Sequence, residues 1–178
     1  MKTISVFFAA VLTTAASVFA AAPAAVNARV DVLFDHPENF TDVKDSFSGT
    51  EKGRDNTLAL IKEYIEQRAP RYLAEGQILT MTFTDIDLAG DFEPQRGPNF
   101  TDVRIVKDIY PPRLKFTYKL TDASGAVVKE GEEKLVNLGF QMTSNPFNQQ
   151  DALHYEKDML DNWLHDQLSH PKKVATKS

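Results

Sequence analysis

The densest run of ligand-type side chains in this 178-residue sequence is Asp85, Asp87, Asp91 and Glu93, set around Gly90. Carboxylates at alternating positions before a glycine are what a calcium loop uses, because a hard cation takes oxygen ligands around a sharp turn. On that template Asp85 and Asp87 fill the first and third positions, Gly90 the turn and Glu93 the ninth position. Ala89 stands where a fifth ligand belongs, and Arg96 where a bidentate glutamate belongs. With two ligands missing, the competing reading is a strand end whose aspartates cap a turn and pair with Arg96 or Arg113. A third reading has the loop meet a partner. Asp85, Asp87, Asp91, Glu93 and Arg113 are accordingly the candidate binding residues.

A second constellation is His154, Asp158, Asp161 and His165. Their spacing of four, three and four puts them on one stripe of a helix, where imidazole and carboxylate can chelate a transition metal. The plainer reading is the solvated face of an amphipathic helix. Nucleophilic chemistry finds little support. There is no Gly-x-Ser-x-Gly, no phosphate loop and no dinucleotide fingerprint, and Ser46, Ser48, Ser124 and Ser144 sit in polar turns. The chain lacks cysteine, so it has neither disulfides nor thiolate chemistry. No catalytic residue and no cofactor is assigned.

The elements that must position these residues follow from periodicity. Arg29–Phe34 reads as a strand. Leu58, Ile61, Ile65, Ala69 and Tyr72 recur at helical spacing, which predicts a helix over 57–74 with Asp55 or Asn56 as N-cap. Pro70 should kink it or split off its last turn. Residues 77–88 form a strand whose apolar phase slips from Phe83 to Ile86, so a bulge is expected near Thr84 and Asp85. A weak strand is possible over 102–106. Residues 113–121 and 126–135 form a hairpin around Asp122–Gly125, with Glu130, Glu132 and Glu133 opposite the basic face of the first strand. Residues 137–150 read as a long loop, and 151–168 as a final helix with Asp151 near its start. The pentapeptide Asn-Phe-Thr-Asp-Val occurs twice, at 39–43 and 99–103, each copy expected as a turn. The whole reads as an α+β domain: one mostly antiparallel sheet of about four to five strands with two helices on one face. Thr80, Thr82, Lys115, Lys119 and Glu132 would line the other face.

The chain's start bears on location. Lys2 is the only charge before Arg29, a short apolar run covers 4–12, and Val18 and Ala20 supply small residues for a cut after Ala20. That is the pattern of a signal peptide over 1–20, and the apolar run is shorter than the roughly 20 residues a span needs. Residues 21–28 would be a flexible lead-in, 29–168 the domain and 169–178 a short, basic, disordered tail. Export without disulfides favours a bacterial periplasm, or secretion. The net charge of −5 argues against nucleic acid or anionic lipid as a partner of the bulk surface. No integral membrane segment is expected once the signal is removed.

Three segments together carry a resemblance: Asp85-Ile86-Asp87-Leu88-Ala89-Gly90, Pro112-Arg113-Leu114-Lys115-Phe116-Thr117-Tyr118, and Tyr155-Glu156-Lys157-Asp158-Met159-Leu160 leading to Trp163. The chain resembles the bacterial domain of unknown function family 3016, small exported proteins, over about 29–168. The resemblance implies location and lineage and transfers no site residue. The expectation is a non-catalytic binding or accessory module of the cell envelope, meeting an unknown protein or envelope component. The alternative is a small-molecule or cation binder, or an enzyme of unrecognised type.

Overall fold

The computed structural model describes residues 28–143 and 151–168. The expected signal peptide, all but the last residue of the lead-in, and the basic tail lie outside the described residues.

Four strands form the main sheet: β1 (Arg29–Phe34), β2 (Ile78–Asp87), β5 (Arg113–Thr121) and β6 (Val127–Val136), in the order β1-β2-β5-β6. β1 runs parallel to β2, while β2–β5 and β5–β6 are antiparallel. The parallel pair needs a crossover, and α1 (Glu51–Arg68) lies within that connection. The expected weak strand exists as β4 (Arg104–Ile105), but it pairs with β3 (Asp91–Phe92) in a separate two-stranded ribbon.

Alternation decides which face is covered. In β5, Leu114, Phe116, Tyr118 and Leu120 are buried while Arg113, Lys115, Thr117 and Lys119 are exposed. Leu79, Met81 and Phe83 of β2 share the buried side. The slip in β2 is a register shift between Phe83 and Asp85, the bulge the sequence called for. Against the covered face pack Leu58, Ile61 and Ile65 of α1 and Leu160, Trp163 and Leu164 of α3 (His154–Leu168). The aromatic centre is Phe83 against Phe116 at 5.1 Å between centroids, with Trp163 edge-on to Phe116 at 4.9 Å and to Tyr118 at 5.0 Å. Gly131 makes room beside this cluster: a Cβ there would stand 3.1 Å from the Tyr118 ring.

Three expectations need correction, and that for Pro70 is met. α1 begins at Glu51, not Thr57, and its N-cap is Thr50, whose hydroxyl accepts from the Gly53 amide at 2.8 Å. The first turn carries no apolar stripe, so periodicity could not see it. Pro70 does end the α-helix, and residues Ala69–Tyr72 tighten into one 3-10 turn. The long loop after β6 contains a short helix, α2 (Phe140–Thr143), whose Phe140 is buried edge-on to Tyr155. Glu133 does not face the basic row. It stands opposite Phe116 on the helix side, while Glu130 meets Lys119 and Glu132 meets Thr117.

Candidate functional site

The bulge sets Asp85 and Asp87 at the end of β2, where each meets a cation of β5. Asp85 accepts from Lys115 Nζ at 2.8 Å, and from the amide and hydroxyl of Thr41 at 2.8 and 3.1 Å. Asp87 accepts from Arg113 Nη1 at 2.7 Å. The two carboxyls titrate differently. Burial opposes charge on both, but at Asp85 the Lys115 ammonium and the Thr41 bonds outweigh it and hold the carboxyl below its ordinary range. At Asp87 burial wins over Arg113, and the carboxyl is pushed up.

Glu93 is buried, and Lys107 Nζ, Tyr110 Oη at 3.0 Å and Arg96 Nε at 3.3 Å converge on it. Those contacts, chiefly Lys107, hold its carboxyl below the ordinary range. Asp91 accepts from its neighbouring amide, Phe92 N, at 2.7 Å. Of the five candidate binding residues, Asp87, Asp91 and Arg113 line one cleft of about 270 Å³ with Asp42, Lys44 and Tyr110. Asp85 and Glu93 do not line it.

At the edge of that cleft lies an ion pair between residues 62 apart in the sequence. Arg104 donates to both oxygens of Asp42, at 2.7 and 3.1 Å, and to the carbonyls of Gly90 and Lys44, both at 2.9 Å. Its guanidinium lies 4.6 Å from the Phe92 ring centroid. Asp42 extends the edge of the sheet by bridging to Asp87 in parallel. Gly90 has φ of 81°, and a Cβ there would meet the Ile105 carbonyl oxygen at 2.8 Å, so only glycine lets β4 close over the turn. Glu156 of α3 reaches the same turn. It is 1% exposed, one oxygen accepts from Ala89 N at 2.7 Å, and the other has no partner among the described residues. Burial pushes its carboxyl above the ordinary range.

The helix stripe does not converge. Asp161 accepts from Arg68 Nη2 at 2.8 Å and Tyr72 Oη at 3.0 Å, joining α3 to the end of α1. His154 Nδ1 lies 2.6 Å from the Asp151 carbonyl, and His165 Nδ1 lies 3.0 Å from Asp166. Among the described residues no group of three or more His, Asp or Glu is placed to hold a metal ion. Nor is any described helix long and apolar enough to cross a membrane.

The sheet face that no described element covers is the other broad feature. Asp31, Thr80, Lys119 and Glu130 form one cross-strand row, and Leu33, Thr82, Thr117 and Glu132 the next. A shallow depression of about 540 Å³ sits on Thr80, Thr82, Thr117, Lys119 and Glu130.

The model of the family described as protein of unknown function (DUF3016) matches residues 28–166. The chain belongs to that family. No curated protein matches this DUF3016 chain. Among solved structures it is similar to the PelC dodecamer from Paraburkholderia phytofirmans, at 11% identity and a TM-score of 0.36, covering 80% of this chain and 87% of that one. A likeness that distant carries no argument about function.

The residues that organise the corner of the DUF3016 chain were only partly visible beforehand. Asp42 and Arg104 lie beside the two copies of the repeated pentapeptide, Asp42 inside the first and Arg104 just after the second. Phe47 N also donates to Asp102 of the second copy, at 3.4 Å. The repetition is the signal; what it lacks is any cue that each copy meets a residue flanking the other. Glu156 lay in the Tyr155–Leu160 segment, where its flanking Tyr155 and Lys157 gave no sign of burial.

Proposed function

We propose that this chain is a non-catalytic binding module of the bacterial cell envelope, exported and working in the periplasm, which meets a protein or envelope component through its bare sheet face. The observation that carries the reading is the one-sided sheet: its uncovered side presents threonine hydroxyls and opposite charges in rows across four strands. Such a surface offers hydrogen bonds and charge complementarity over an extended area. The ion pairs of the corner support the same reading. Asp85, Asp87, Glu93 and Asp42 each already hold a lysine or arginine. These carboxylates therefore brace the turn under the sheet's end, and a cation would have to displace those bases. Export rests on residues 1–20 and is tested by N-terminal sequencing of the abundant species, which should begin at Ala21.

Photo-cross-linking groups placed at Thr117 and Lys119, with Glu63 on the exposed side of α1 as control, test the face in living cells. Adducts specific to the sheet positions are expected. Equal labelling from Glu63, or none from the sheet, removes the face as the contact surface. A second reading, cation binding at Asp85 and Asp87, would instead show as a melting temperature raised by millimolar calcium and not in Asp85→Ala.

A further inference from the structure

β6 is an edge strand ten residues long, and no described strand covers its outer side. It therefore offers a row of backbone N–H and C=O groups to another strand. Val127, Val128 and Val136 at its two ends are 48%, 54% and 50% exposed. On the open face its regular part shows Glu130, Glu132, Lys134 and Val136, opposite Lys119, Thr117, Lys115 and Arg113. Lys134 thus stands against another ammonium, and Lys115 is already held by Asp85. The nearest carboxylate to Lys134 is Glu132 of its own strand, 3.0 Å away and exposed.

We propose that two copies of the chain pair through β6, antiparallel, about a two-fold axis at Glu132, so that one sheet runs through both protomers. The charge order of the strand selects the axis. A two-fold perpendicular to the sheet keeps each face on its own side, so residues equidistant from the axis face each other. With the axis at Glu132, Glu130 of one protomer stands opposite Lys134 of its partner, twice over. Val136 of each protomer then comes to the bulged Val127–Val128 end of its partner's strand. Each Lys134 gains the carboxylate that Lys115 denies it, and Glu130 lies between two ammonium groups, its own Lys119 and the partner's Lys134. The facing Glu132 pair is the cost, offset by a Lys134 diagonal to each.

Neighbouring axes fit less well. An axis at Gly131 sets Glu130 against Glu132 twice. One at Glu133 also sets Glu132 against Lys134 twice, but its central Glu133 pair has only Gly131 and Leu135 beside it on that face, with no lysine diagonal to offset it, and Glu130 is left against Val136. Charges on an edge strand deter pairing with strands of unmatched pattern; here the pattern matches itself. This inference stands independently of the proposed function.

Sedimentation velocity on the purified mature chain, across a concentration series, tests it. The expected result is a reversible dimer with slow hydrogen exchange at β6 amides. Glu130→Lys places two ammonium groups opposite each other twice and should weaken dimerisation roughly tenfold or more. The double variant Glu130→Lys with Lys134→Glu restores the pairing with charges exchanged and should recover the dimer. A monomer throughout the series up to millimolar concentration overturns the proposal. So does a dimer indifferent to Glu130→Lys, which would place the interface elsewhere. A chain ended at Leu168 should dimerise as before; loss of the dimer there would make the basic tail, not β6, the pairing element.

Discussion

At the scale of single residues, Arg104 and Glu156 carry the most. Arg104 ties two other segments to its own, one through Asp42 and Lys44 and the other through Gly90. Asp42 is nearly buried, so removing its partner leaves an uncompensated charge rather than merely a lost contact. Arg104→Ala is expected to cost about 3 kcal/mol, and the double change with Asp42→Ala less than the sum of the singles. Urea unfolding measures both; a single-variant loss below about 1 kcal/mol would show the pair to be solvated and incidental. Glu156 is the opposite case, a buried acid whose charged form lacks a second partner. Glu156→Gln keeps an acceptor for the Ala89 amide and removes the charge. It should stabilise the protein by about 1 kcal/mol in neutral buffer, the amide's spare donor offsetting part of the gain. Neither role was legible in the sequence. Arg104 finds Asp42 across 62 residues and Glu156 finds Ala89 across 67, and local spacing holds no information about such pairs.

At the scale of elements, periodicity found whatever buries a stripe and missed whatever is held by polar contacts. β5 alternates without fault and its ends fell where expected. The bulge in β2 was visible because side chains alternate strictly, so a slipped apolar phase leaves one physical explanation. The first turn of α1 has no such signature. Thr50 caps it, and the Thr50 hydroxyl in turn donates to Asp45 at 3.2 Å. Thr50→Ala should then cost about 1 kcal/mol and fray the first turn, seen as faster amide exchange at Gly53 and Arg54. Unchanged exchange there would mean that packing, not the cap, sets where the helix begins. The same lesson covers the candidate sites. Spacing puts Asp161 on a helix stripe, yet its partners are Arg68 at the end of α1 and Tyr72 in the 3-10 turn that follows. Lys129 on β6 donates to the Gln167 carbonyl at 3.1 Å near the end of α3, a favourable place for a cation.

At the scale of the whole molecule, stability should pass through a maximum in mildly acidic solution. Two sets of carboxyls oppose each other. Asp85, Asp151 and Asp161 lie below the ordinary aspartate value of 3.8, Asp161 chiefly through the Arg68 bond. A group depressed in the folded state contributes stability that is present above its unfolded pKa and lost as pH falls through its folded one. These three therefore steepen acid unfolding. Glu156 lies above the ordinary glutamate value of 4.5, and Asp87 above 3.8, both chiefly through burial. A raised group contributes stability that is complete below its unfolded pKa and declines as pH rises through its folded one. Those two make the fold less stable toward neutral and alkaline pH. The melting temperature should accordingly climb on descending from neutral pH, crest close to the ordinary carboxylate values, then fall. The variants separate the limbs. Glu156→Gln should flatten the neutral side and leave the acid side unchanged. Asp161→Asn should lower the crest, because it breaks the α1–α3 pair, and make the acid limb shallower. A wild-type profile level from neutral pH to the crest, with Glu156→Gln running parallel to it, would mean that Glu156 is ionised and solvated at neutral pH, and the buried-acid account of the β2–β3 turn would fall.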